Sequence, residues 1–160
     1  MKTIFSLMMA SLRRLTELCM AALALLTLTD VLGRYVFNVS VMGAIELTEI
    51  LMVGVIFCGI ILATMAREHV VVDLLPIPFG ETGTRVAHVA TGLLVAGISA
   101  LLAVVSWSQA ESARDYGDQT TMLGLALAPV VYFMSIMLFI NTIVQLGLLW
   151  QELRGETAND

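Results

Sequence analysis

Four long apolar runs separated by short polar stretches set the plan of this chain. They cover Leu15–Val36, Ile45–Ala66, Val86–Trp107 and Leu123–Trp150. A helix that crosses the hydrocarbon core of a bilayer needs about 20 mostly apolar residues, and each run is long enough. A helix of a soluble bundle turns a polar stripe to water, and the second and third runs carry none. The pattern predicts an all-α integral membrane protein, a single four-helix membrane domain over residues 1–160.

The stretches between the runs refine this plan. Ile4–Leu12 precedes Arg13 and Arg14 and reads as a short interfacial lead-in. The first connection, Asn38–Ala44, is short and holds Gly43; its Asn38-Val39-Ser40 sequon is common by chance and is discounted. The second connection, Arg67–Arg85, contains the apolar string VVVDLLPIPF (Val70–Phe79). Asp73, Pro76 and Pro78 break that string, and prolines so close together prevent a spanning helix. It is expected to lie along the membrane interface. In the third run Gly92, Ala96 and Ala100 recur every four residues, a spacing that admits a close neighbouring helix. Pro129 is expected to kink the fourth helix near one end. Trp107 and Trp150 fall where an aromatic belt marks span ends. The two halves show no repeat of the kind found in duplicated transporters.

Composition agrees with the membrane reading. Hydrophobic residues make up 59% of the chain and charged residues 13%, with a mean hydropathy of +0.93; an ordinary soluble domain has roughly 25% charged residues. The net charge of −5 acquires meaning only once each charge is given a side. Cytoplasmic segments carry the excess of Lys and Arg. With both termini cytoplasmic, Lys2, Arg13, Arg14, Arg67, Arg85 and Arg154 lie inside, and only Arg34 and Arg114 outside. The outer side then collects Asp30, Glu46, Glu49, Glu111, Asp115 and Asp118, and is acidic. Cys19 and Cys58 lie inside apolar runs and read as small core residues rather than a disulfide pair. The first run is longer than a signal peptide and is followed by Asp30 and Arg34 instead of a cleavage site, so it is expected to be retained.

A few polar side chains stand out. Asp30 and Arg34 are one helical turn apart, in the favourable order for an ion pair. Asp30 lies about six residues, roughly 9 Å, inside the end of its helix. An ionisable residue in a span invites a functional reading with a named partner; the plainer alternative is that the pair fixes the helix end. Glu46 and Glu49 share a face at the start of the second helix, where acids suit the helix dipole; one of them could also complete a network with Arg34. At the other end Arg67, His69 and Asp73 form a second polar cluster. His69 and His88 could in principle ligate haem, but both lie at the interface with no matched partner at the same depth. No metal site or cofactor is expected, and no signature of an enzyme or a nucleic-acid module is present. Asn141 and Gln145, one turn apart, are expected to bond a neighbouring helix.

These residues resemble the small membrane subunit of tripartite ATP-independent periplasmic (TRAP) transporters. The likeness includes GRYVFN closing the first helix, Glu46 followed thirteen residues later by Gly59, and REHVVVDLL after the second helix. It extends to TMLGLALAP (Thr121–Pro129) opening the fourth helix. One departure is GAIELTE, where many relatives carry a tryptophan before the acid. The resemblance implies a bacterial inner-membrane protein that packs in lipid beside the scaffold of a large permease subunit. That larger subunit would carry the substrate and sodium sites, and a periplasmic substrate-binding protein would deliver an organic acid. Asp30, Arg34, Glu46, Glu49, Arg67, His69 and Asp73 are then candidates for structural or partner contacts. Two other readings compete. A self-assembling proton-coupled exporter would use Asp30, which has Arg34 beside it. An anchor of a membrane redox complex would need better-placed ligands.

Overall fold

A computed structural model describes the backbone of residues 2–66 and 81–154 and the side chains of residues 6–66 and 89–151. It contains α1 (Lys2–Val36), α2 (Ala44–Met65), α3 (Glu81–Tyr116) and α4 (Ala128–Arg154). Among the described residues there is no strand beyond one isolated bridge, Gln119 to Ala126. All four helices are apolar and long enough to cross a membrane. The shortest, α2, has 22 residues and reaches about 33 Å at 1.5 Å per residue, more than a hydrocarbon core.

Helix contacts run in the order α1, α2, α4, α3, so α2 and α4 are the middle pair. α1 meets α2 through Leu12, which packs with the fully buried Cys58 and Ile61 and with Met65. Met8 and Met9 extend the same cluster. The expected lead-in Ile4–Leu12 is the first part of a continuous α1, in which Met8, Met9 and Leu12 have α2 to pack on. α3 meets α4 along Ala96, Ser99, Ala103 and Ala110, all buried. Small side chains here let the helix backbones approach. The expected stripe of Gly92, Ala96 and Ala100 holds for its first two members and then moves to Ser99 and Ala103. At 3.6 residues per turn a strict four-residue spacing drifts off the face. A Cβ on Gly92 would come within 2.4 Å of Leu149 Cδ2.

The buried polar groups mostly bond one another. Asn141, 1% exposed, accepts a hydrogen bond from Thr64 Oγ1 of α2 at 2.7 Å and donates to Ser99 Oγ of α3 at 3.1 Å. Ser135 Oγ donates to the Ala103 carbonyl at 2.8 Å. Asn141 thus behaves as its sequence position suggests, whereas Gln145 Oε1 is buried without a hydrogen-bond partner among the described residues.

Two helix ends differ from the hydropathy boundaries. α3 runs nine residues past Trp107, which bonds Glu111 Oε1 through Nε1 at 3.1 Å and stacks edge-on against Tyr132 at 5.1 Å. α4 begins at Ala128, five residues after Leu123, because Gly124 takes φ +63° and the preceding residues form a turn. Pro129 then falls in the first helical turn, where no N–H is needed, and it starts the helix instead of kinking it. Glu81–Arg85, expected in the connecting loop, opens α3, while the string Val70–Phe79 expected at the membrane interface lies outside the described residues. Residues 67–80, including Arg67, His69 and Asp73, lie outside the described residues.

Asn141→Leu removes the only side chain that bridges α2 and α3 through α4 among the described contacts. Interhelical bonds of this kind contribute about 0.6 kcal/mol on average and up to about 1.7 kcal/mol. Detergent unfolding of the variant should show a loss in that range with helicity retained.

Candidate functional site

The two helical hairpins meet at the end where α1 turns into α2 and α3 into α4. Several residues shape the first turn. The Gly33 carbonyl accepts from the amides of Phe37 at 3.1 Å and Val39 at 3.0 Å. The Val39 carbonyl folds back so closely that a Cβ on Gly33 would stand 2.6 Å from its oxygen. Asn38 takes φ +54°, a left-handed conformation that asparagine tolerates better than most residues. Asp30 completes the turn. Its Oδ2 pairs with Arg34 Nη2 at 2.9 Å, and its Oδ1 accepts from the Val41 amide at 3.0 Å.

The second connection is a compact loop. Gly117, at φ +68°, ends α3, and the Asp118 amide reaches back to the Ala113 carbonyl at 2.9 Å. This is the usual glycine-closed helix end. Thr120 and Leu125 bond across the loop, and the Leu127 amide donates to the Asp118 carbonyl at 3.0 Å. The amides of Met122 and Leu123 are left pointing out of this turn.

Glu46 takes up both. One carboxylate oxygen accepts from the Met122 amide and the other from the Leu123 amide, the latter at 2.9 Å. Hydrogen bonds to an ionised acceptor are stronger than neutral ones, and Glu46 also sits in the first turn of α2, where the dipole favours it. Gly43, at φ +72°, lets Leu123 close the same contact, since a Cβ there would fall 2.4 Å from Leu123 Cγ.

Of the sequence candidates, the structure brings Asp30, Arg34, Glu46 and Glu49 to one end. The expected link from a glutamate to Arg34 is replaced by the Arg34–Asp30 pair and by the Glu46 clamp on the other hairpin. Arg34, Glu46 and Glu49 line one side of an open cleft of 670 Å³, with Gln119, Thr120 and Thr121 on the other. Sequence reasoning singled out Gly43 in the first connection, but missed Gly33 and Asn38 as turn makers and missed the two amides that Glu46 holds. The glycines gave a signal; amides in an apolar string gave none. Among the described residues no group of three His, Cys, Asp or Glu is placed to hold a metal ion. The arrangement positions backbone and side chains for contact.

The family model for tripartite ATP-independent periplasmic transporters, DctQ component, matches residues 23–155. The chain belongs to the DctQ family. The match spans both hairpin turns, Asp30, Arg34 and Glu46. DctQ is a transporter component and not an enzyme family, and membership implies association with the other TRAP components. With four span-capable helices, this DctQ protein is a multi-pass membrane protein. No curated protein and no solved structure matches the chain.

The clamp and the glycine act on the same residue. Gly43→Ala should lower the melting temperature by roughly 2–4 °C, since a left-handed alanine costs about 1 kcal/mol. Glu46→Ala should lower it as well, and the double variant should lose less than the two effects added. Thermal unfolding of the four proteins in detergent measures this; strict additivity would contradict a shared contact.

Proposed function

We propose that this chain is the small scaffold subunit of a TRAP-type secondary transporter in a bacterial inner membrane. It supports a larger permease subunit during sodium-coupled uptake of an organic acid delivered by a periplasmic binding protein. The observation that carries this reading is the DctQ family match over residues 23–155. The geometry fits a supporting part. Thr64, Asn141, Ser99 and Ser135 spend their hydrogen bonds on fixing helices to one another, and Asp30 spends both oxygens on Arg34 and the Val41 amide. Asp30 is thus tied up in holding the turn, which speaks for the supporting role over the exporter.

The orientation we propose puts both termini in the cytoplasm and both turns in the periplasm. The excess of Lys and Arg at the terminal end supports it. The binding protein then meets Glu111, Asp115 and Asp118 near the α3–α4 loop.

Co-expression with the larger TRAP permease subunit of the same genome tests the reading. The two chains should purify together, and liposomes holding both should take up substrate from the binding protein only with a sodium gradient. Asp30→Asn and Arg34→Gln should each lower recovery of the complex. Solute movement by this chain alone would contradict the proposal.

A further inference from the structure

One face of α2 remains uncovered by α1 and α4, and it is apolar at all but one position. Ile45, Met52 and Ile56 are 69%, 45% and 47% exposed, and Glu49 is exposed among them. Offsets of four, seven and eleven residues place these four side chains on one side of a helix. Three residues further along the same line is Gly59, where an added Cβ would meet nothing within 4 Å. In the middle of the other helices the exposed stripes are mainly hydrocarbon, as with Leu25 of α1, Leu101 of α3 and Ile143 of α4. Those suit lipid.

Glu49 does not. It stands about 7–8 Å along the axis from the start of α2, within the apolar span Ala44–Met65. Among the described residues it makes no ion pair and no hydrogen bond. Arg34, which lines the same cleft, is already paired with Asp30. The cleft lining therefore holds more negative than positive charge, and among the described residues no second cation lines it. A charged side chain in a span pairs with a partner or faces protein, because lipid offers it no stabilisation.

We propose that the Ile45–Glu49–Met52–Ile56 face of α2 docks a membrane helix of the larger permease subunit that presents a lysine or arginine to Glu49. This rests on the function proposed above. Depth and charge select the occupant. A soluble protein meets the loops before it reaches Glu49, and a lipid headgroup stays in the interfacial layer. Gly59 offers the room that a closely packed helix uses and that fluid lipid chains do not require.

The test is co-purification of the tagged chain with the larger subunit, read beside the amount of chain in the membrane. Glu49→Lys should cut the recovered complex by roughly tenfold or more, because like charges then meet across the contact. Glu49→Gln should cut it less, and Gly59→Leu should also reduce it. Replacing one lysine or arginine of the larger subunit by glutamate should restore recovery with Glu49→Lys, which a merely misfolded chain would not allow. Full recovery with both Glu49→Lys and Gly59→Leu overturns the proposal. So does a loss confined to docking of the binding protein or to a co-purifying lipid. If the unaltered chain fails to bring down the larger subunit, this inference and the proposed function fall together; if only the variants behave as wild type, the inference alone falls.

Discussion

The carboxylate of Glu46, holding the amides of Met122 and Leu123, joins the two hairpins at their turning end. At this end no residue other than Glu46 makes a described hydrogen bond or ion pair from the α1–α2 hairpin to the α3–α4 loop. Eighteen residues along α2, Thr64 makes the corresponding link to Asn141 of α4. The two links stand roughly 27 Å apart along the helix axis. Between them α2 and α4 lie side by side in the same direction, with α2 pinned near both of its ends. α1 and α3 then attach on either flank, the first through Leu12 and the second through a row of small residues.

This division suits a lipid solvent. Apolar side chains give helices no reason to prefer each other over lipid tails, so close packing and a few polar bonds have to select the arrangement. Ala96, Ala103 and Ala110 provide the packing between α3 and α4. The polar seam provides direction, since Asn141 can reach Thr64 and Ser99 at once only in one register. The turning end is fixed by the Asp30, Glu46 and Thr120 side chains bonding backbone amides and by glycines that allow the turns. Its shape therefore depends on those few residues more than on the rest of the loops.

The number of helices and their membrane character were legible because hydropathy over twenty residues is a strong signal. Asp30 and Arg34 were legible as a pair for a similar reason: one-turn spacing alone places them together. The start of α4 was not. Met122, Leu123 and Leu125 are apolar, yet they sit in a loop whose course is set by the backbone of Gly117 and Gly124 and by Thr120. Hydropathy counts such residues toward a span whatever their dihedral angles. Glu46 was visible as an acid at a helix start, but its partners are amides 76 and 77 residues away, and amides leave no mark in a sequence. Asn38 illustrates the same limit, since its side chain suggests a sequon while its left-handed backbone does the work of the turn.

Amide hydrogen exchange at Met122 and Leu123 tests the central claim most directly. In bilayer nanodiscs both amides should exchange slowly in the unaltered chain and quickly in Glu46→Ala, with protection in the middle of α4 unchanged. Equal exchange at these two amides in both proteins would show that the Glu46 carboxylate does not hold the hairpins together.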